Sequence, residues 1–149
     1  MHDIGLSIDR VTEEVLETMF FSGILGAGAG CGEDSLSALV EFTGSASGAV
    51  GLSVDRSAAE TYTANFLGAP DVETQAEDVA AVVGEFANIL CGATLAQLRP
   101  DGAFLIATPT VCSGEAAVRR VEEMNVRRSF ELPEGSLTVG VSIKPESES

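Results

Sequence analysis

The sequence has few of the residues on which several classes of protein depend. Its one histidine, His2, lies beside the N-terminal methionine, which excludes histidine-based triads, phosphohistidine relays and HExxH metal sites. Cationic residues are also scarce, since eight lysines and arginines face 23 aspartates and glutamates, a formal net charge of −15. Phosphate backbones are bound by clustered cations, so this composition argues against a nucleic-acid surface and favours partners with basic patches.

Cysteines and long apolar runs are lacking too. Cys31, Cys91 and Cys112 are odd in number and show no Cys-x-x-Cys spacing, so neither a disulfide framework nor a zinc site is supported, and we expect three reduced core thiols and no metal site. The most apolar run, residues 19–31, is too short and too rich in glycine to span a bilayer, and no basic segment opens the chain. We therefore expect a cytoplasmic protein that binds no membrane.

What the chain does contain is the composition of a folded domain. Hydrophobic residues make up 45% of its 149 residues and charged residues 21%, which is typical of a globular protein. The length favours one domain over residues 1–149, large enough to bury a core of its own. The polar tail, residues 144–149, is expected to be unstructured.

The stretch 76–98 dominates the pattern. Apolar residues recur there at the i, i+3, i+4, i+7 spacing of an amphipathic helix, namely at Val79, Val82, Val83, Phe86, Ile89, Leu90 and Ala93. This stripe predicts a long helix with one buried side.

The opposite side of this helix carries unusual residues. Ala81, Glu85, Asn88 and Gly92 line up along it, so a carboxylate and an amide stand one turn apart between two small residues. Glycine lowers helix propensity by roughly 1 kcal/mol relative to alanine, which suggests that something approaches the helix closely at Gly84 and Gly92. The alternative is that the polar pair is ordinary surface and that the glycines pack against a neighbouring helix.

The remaining periodicity predicts two hairpins and two further helices. A first helix starts near Ser7 or Asp9 and ends by Gly23 or Gly26, and the glycine-rich segment 26–32 is a loop. A second, short helix over 57–67 is capped by Ser57. The predicted strands are 36–42 with 46–54, the single strand 104–107, and 124–132 with 136–143.

The two halves of the chain resemble each other. Residues 49–54 (AVGLSV) reappear as 138–143 (TVGVSI), each time as the second strand of a hairpin. Residues 11–19 align with residues 82–90, so that Glu14 corresponds to Glu85 and Glu17 corresponds to Asn88. We therefore predict an α+β fold with α/β/α layers, in which an antiparallel sheet carries two long helices on one face and the halves are related by a pseudo-twofold duplication.

The ordered set Glu85-x-x-Asn88, Gly92 and Thr108-Pro109 resembles the signature of the CheX-like chemotaxis phosphatases, relatives of CheC and FliY. The resemblance covers nearly the whole chain. One departure is Ala81, because many members carry Asp or Ser four residues before the glutamate. The copy of this pattern in the first helix has Glu17 in place of the asparagine, so it resembles a second site that has lost its function, here called the lapsed copy.

The resemblance implies a substrate, the aspartyl phosphate of a CheY-like response-regulator receiver domain. Asn88 would then position the attacking water, and Glu85 would pair with a lysine of the receiver, while Ala81, Gly84 and Gly92 would leave clearance for the partner. No cofactor of the chain's own is implied, because the Mg²⁺ belongs to the receiver. A homodimer, as in CheX, is a further possibility.

Two other classes of function stay open at this point. A non-catalytic module of the same architecture could bind a regulator or its own kind without hydrolysis, and Ala81 and the lapsed copy favour it. A purely structural domain is the third hypothesis.

Overall fold

The structure is a computed structural model that describes residues 3–68 and 74–144. In these residues a central sheet is covered by helices on both faces. The helices are α1 (Ile4–Phe20), α2 (Arg56–Leu67), α3 (Ala76–Leu98) and α4 (Glu115–Glu122). The strands are β1 (Gly26–Ala27), β2 (Ser35–Gly44), β3 (Ser47–Asp55), β4 (Phe104–Ile106), β5 (Thr110–Ser113), β6 (Val126–Leu132) and β7 (Gly135–Lys144).

The strands form one antiparallel sheet in the order β1-β6-β7-β3-β2-β4, with β5 also pairing with β2. Alternate residues of β2 point to opposite faces. Leu36, Ala38 and Val40 belong to the main core under α1, α2 and α3, whereas Ser37 and Leu39 face α4 on the other side. The predicted α/β/α layering, with two long helices on one face, is therefore confirmed.

The pairing of β3 with β7 reveals the internal symmetry. Gly51 lies opposite Gly140 in this ladder, and these glycines occupy the same place in the repeated sequence AVGLSV and TVGVSI. Equivalent residues of two antiparallel strands can face each other only at a local twofold axis. The predicted pseudo-twofold duplication is thus confirmed, and its axis passes between these two residues.

The halves exchange their edge strands. β1 comes from the first half but pairs with β6 of the second, whereas β4 and β5 come from the second half and pair with β2 of the first. Each hairpin is therefore completed by the other half of the chain.

The axis glycines allow the residues after α4 to approach the sheet. A Cβ atom on Gly140 would lie 2.8 Å from the Met124 sulfur, and one on Gly51 would lie 3.1 Å from it. Met124 is buried, so a larger residue at either position would push it off the sheet.

Two helix starts differ from the predictions. α1 begins at Ile4 because Asp3 caps it, its Oδ1 accepting a 3.1 Å hydrogen bond from Leu6 N, and it ends before Phe21, whose φ is +56°. α2 begins at Arg56, and the predicted cap Ser57 instead donates to the Glu134 carbonyl at 3.3 Å. In that helix Asp55 stands at the N-cap position but makes no side-chain capping bond, since its carboxylate accepts from Ser136 N and Gly32 N.

Three elements were not predicted. β1 lies in the segment predicted as a loop, and β5 and α4 lie where only an irregular connection was expected. The other strands were predicted to within two residues at each end. The structure places Lys144 in β7, and the rest of the predicted tail, 145–149, lies outside the described residues.

Helix α3 occupies the predicted range, Ala76–Leu98. Among the described helices it alone is long and apolar enough to cross a membrane by those two criteria, and 56% of its most apolar stretch is buried inside the protein. That burial is typical of the core helix of a globular domain.

Candidate functional site

The middle of α3 places Glu85 and Asn88 on the side away from the core. Phe86, between them, is buried, and its ring meets the Phe20 ring edge-on at a centroid distance of 5.0 Å. Phe86 is one of ten buried residues of α3, and together they hold their side of the helix against the core. Glu85 is exposed, as the helical periodicity predicted, whereas Asn88 is half-buried.

Neither polar side chain is engaged by the described part of the fold. The ion pairs found there join Arg56 to Asp34, Arg119 to Glu115 and Arg128 to Asp9. No side-chain hydrogen bond of residues 3–68 and 74–144 involves the Asn88 carboxamide or the Glu85 carboxylate. Both groups are therefore available to a ligand or partner.

Strands β4 and β5 and the residues between them form one edge of the sheet, here called the edge strand, which runs close along one flank of α3. A Cβ atom on Gly84 would lie 3.3 Å from Val111 Cγ2 and 3.6 Å from Pro109 Cβ, and one on Gly92 would lie 4.0 Å from Ile106 Cδ1. The close approach at Gly84 is thus made by a strand of the same chain, and Gly84 is buried beneath it. This corrects the expectation that Gly84 touches a partner and that the glycines might face a neighbouring helix. Ala81 is exposed and Gly92 is half-exposed, so clearance for a partner remains possible at these two positions.

A β-bulge interrupts the edge strand beside the helix. Phe42 pairs with Ile106, and Leu39 pairs with Thr110. Two residues of β2 therefore oppose three residues of the edge, 107–109, which is the definition of a bulge with one extra residue. Ala107 N still donates to the Glu41 carbonyl at 2.9 Å. Pro109, which has no N–H to donate, fits such a site on an edge strand.

The sequence predicted the Thr108-Pro109 segment but missed the bulge and β5. The signal was present, because a proline inside a run of strand-forming residues indicates an edge strand or a bulge. The missing information was the register, which depends on β2 and cannot be read locally.

The equivalent face of α1 is built differently. In the alignment of residues 11–19 with 82–90, Glu14 takes the place of Glu85 and Glu17 that of Asn88. The small residues on α3 are replaced by large ones on and just after α1: Arg10 for Ala81, Glu13 for Gly84 and Phe21 for Gly92. Glu14 and Glu17 are exposed. The α1 copy is therefore bulky and charged where the α3 face is open.

The cysteines lie in three different environments. Cys91, on α3, is buried, and this burial raises the pKa of its thiol to about 11. Burial, and to a lesser degree the Asp55 carboxylate, raises the pKa of Cys31 to about 12. Thiols held protonated at neutral pH are poor nucleophiles. Cys112 is exposed on β5 and Cys31 is half-buried, so the expectation of three core thiols is confirmed for Cys91 alone.

The described residues include no group of three His, Cys, Asp or Glu side chains arranged to hold a metal ion. The flank of α3 carries a neutral amide and a neighbouring carboxylate. Small residues of the helix and the edge strand lie beside them. This combination suits hydrogen bonding to an anionic group presented by a partner, with the carboxylate available for a cation next to that group.

Comparison with known proteins identifies the family. A search of curated protein sequences finds no match. The sequence model of the family described as "Chemotaxis phosphatase CheX" matches residues 36–128.

Solved structures agree in fold. CheX from Vibrio vulnificus is 22% identical, with 96% of this chain and 97% of that chain covered and a TM-score of 0.78. CheX from Desulfovibrio desulfuricans is 22% identical, with coverages of 95% and 99% and a TM-score of 0.75. CheX in a complex with CheY, BeF3 and Mg²⁺ from Borrelia burgdorferi is 20% identical, with coverages of 95% and 98% and a TM-score of 0.74.

At these identities the structural likeness establishes the fold, and the family follows from the sequence model, which matches more than half of the chain. This chain belongs to the CheX family of chemotaxis phosphatases.

Proposed function

We propose that this protein hydrolyses the aspartyl phosphate of a CheY-like receiver domain in the cytoplasm. The observation that carries the proposal is the Asn88 carboxamide, half-buried on α3 between Gly84 and Gly92 and without a hydrogen-bond partner in the described residues. Family membership supports the reaction class. The relative from Borrelia burgdorferi, crystallised with CheY, supports the kind of partner.

Asn88 is suited to position the attacking water. Its carboxamide oxygen accepts a hydrogen bond from the water, while its NH₂ group donates to a phosphoryl oxygen without adding a negative charge. The water oxygen bonds to phosphorus as the bond from phosphorus to the aspartyl oxygen breaks, and that electron pair leaves with the carboxylate. The products are the free aspartate carboxylate and dihydrogen phosphate, which releases a proton to solvent. Phosphoryl transfer of this loose type needs positioning more than a strong base.

Glu85 serves docking in this proposal. A carboxylate in direct contact with a phosphoryl group would be repelled, so Glu85 instead pairs with a lysine of the receiver's site. It is exposed and has no cationic partner in residues 3–68 and 74–144. Ala81 and Gly92 leave room for the loops of the receiver, and the Mg²⁺ is brought by the receiver, with no cofactor supplied by this chain.

The test is phosphate release from a panel of phosphorylated receivers. We expect Asn88→Ala to slow release by about 100-fold or more, the range seen when one transition-state hydrogen-bond donor is removed, while binding of the receiver changes little. Glu85→Ala should weaken binding, whereas Glu77→Ala, an exposed glutamate in the first turn of α3, serves as its matched control. Phosphate decay that the unaltered protein leaves unchanged, across every receiver tested, would refute the enzymatic proposal.

The alternative is a module that binds a receiver or a second copy of itself without hydrolysis, and the β4 edge favours self-association. β4 ends the sheet order, and Leu105 and Ile106 on it are 76% and 39% exposed. Open strand edges with apolar side chains pair readily with another chain. We therefore propose a homodimer through β4, which sedimentation equilibrium would detect and Leu105→Lys would weaken. A monomer at all concentrations would contradict it.

A further inference from the structure

We propose that Thr108, at the β-bulge, is a second neutral group that binds the phosphoryl oxygens or the attacking water, level with Asn88 across the groove between α3 and the edge strand. This inference rests on the proposed function and deepens it, because it adds a contact that is separate from the Glu85–Asn88 pair. The contacts of the residues that flank Thr108 in the edge strand determine where Thr108 lies.

The position of the edge strand along α3 is fixed at two points. The strand lies against Gly92 through Ile106, and against Gly84 through Pro109 and Val111. Gly84, Asn88 and Gly92 follow one another at intervals of four residues, so they lie on one flank of the helix with Asn88 in the middle. The chain between Ile106 and Pro109 therefore passes Asn88. Only residues 107 and 108 lie in that interval.

The alternation of side chains selects Thr108 from these two. Ile106, which pairs with Phe42, points toward α3, while Ala107, whose N–H donates to the Glu41 carbonyl opposite it, points to the other face. The next residue of a strand returns to the first face, which places Thr108 on the side of α3. Pro109 also lies on that side, because a bulge puts two successive residues on the same side of the sheet.

The surroundings of Thr108 leave its hydroxyl free. Thr108 is exposed, and no hydrogen bond found within residues 3–68 and 74–144 uses its side chain. A hydroxyl is one donor and two acceptors, so it can donate to a phosphoryl oxygen or hold a water without repelling either.

The experiment compares three variants in the phosphate-release assay with the receiver that the unaltered protein dephosphorylates fastest. Thr108→Val keeps the shape but removes the hydroxyl, and we expect the rate at saturating receiver to fall roughly 10- to 100-fold with half-saturation within about twofold of the original. Thr108→Ser should restore the rate to within about threefold. Thr110→Val is the matched control, because Thr110 faces α4 on the other side of the sheet, and it should leave the rate unchanged.

The outcomes separate the two proposals. No hydrolysis by the unaltered protein would overturn the proposed function and this inference together. Full activity of Thr108→Val alongside an inactive Asn88→Ala would overturn the Thr108 assignment alone. The assignment would also fall if Thr108→Ser were as slow as Thr108→Val, because then the fold of the bulge and not the hydroxyl would matter. Thr108→Ala, read in the same way, replaces the valine variant if that one does not fold.

Discussion

Replacing Gly92 by alanine should make the protein more stable and its action on a receiver weaker. Gly92 lies inside a helix of 23 residues, where glycine is unfavourable. A Cβ atom added there would have its nearest neighbour, Ile106 Cδ1, at 4.0 Å, which is an ordinary van der Waals distance. The fold itself therefore gives no reason for a glycine at this position.

The size of the effect follows from helix propensity. Alanine is favoured over glycine in a helix interior by about 0.8–1 kcal/mol, and a gain of that size raises the midpoint of a domain near 150 residues by about 2–4 °C. Gly84→Ala is the comparison. Its Cβ would be 3.3 Å from Val111 Cγ2, so the crowded contact offsets part of the same gain, and we expect a midpoint within about 2 °C of the original.

The assays are thermal unfolding by circular dichroism and phosphate release as a function of receiver concentration. If Gly92 provides clearance, Gly92→Ala should raise the half-saturating receiver concentration several-fold while the midpoint rises. A raised midpoint with unchanged half-saturation would refute the clearance argument. A lowered midpoint would refute the packing on which the argument is based.

Two further predictions concern the cysteines and the α1 copy. Folding raises the pKa of Cys91 from 9.0 to about 11 and that of Cys31 to about 12, so the unfolded chain loses these protons first, and the stability that they contribute below pH 9 should be lost progressively above it. Urea unfolding at pH 8 and pH 10 should therefore show a lower free energy of unfolding at pH 10, and the decrease should be smaller in Cys91→Ala. An equal decrease in that variant would contradict the reasoning. Glu17→Asn in an Asn88→Ala background should restore no phosphate release, because Arg10, Glu13 and Phe21 still occupy the positions at which the α3 face has small residues. Measurable recovery of phosphate release would show that these large side chains do not prevent α1 from acting as a second site.

Local sequence patterns were enough to predict α3 and the side of the helix on which its polar pair lies. The apolar stripe of α3 is long and begins and ends clearly, since Arg99 and Pro100 follow its last residue. The hairpins were predicted because their inward residues alternate. Glu85 and Asn88 were identified because a polar pair among small residues is unusual on a helix of this apolar character.

The elements that the sequence did not reveal are those that tertiary contacts create. β1 has two residues and exists through its pairing with β6, and β5 exists through its pairing with β2. α4 buries only Val118 and Val121, which is too little periodicity to predict a helix. The start of α1 was misplaced because Ser7, a good capping residue, is used inside the fold and is buried.

The same distinction applies to the candidate site. The residue types on α3 could be read from the chain, but Gly84 touches Val111 and Pro109 only because β5 is held by β2. The bulge that brings Thr108 level with Asn88 is likewise a matter of register between strands. The sequence therefore predicted the side of the groove formed by α3 but not the side formed by the edge strand.

The exchange of edge strands between the halves makes the proposed activity depend on both halves of the chain. β4 and β5, which form one wall of the groove, are held in the sheet by β2, and β2 belongs to the half that does not carry Asn88. A proteolytic fragment that retains α3 but lacks β2 would thus display the Asn88 carboxamide without β4 and β5 held beside it. Under the proposed function, such a fragment should release no phosphate from a phosphorylated receiver.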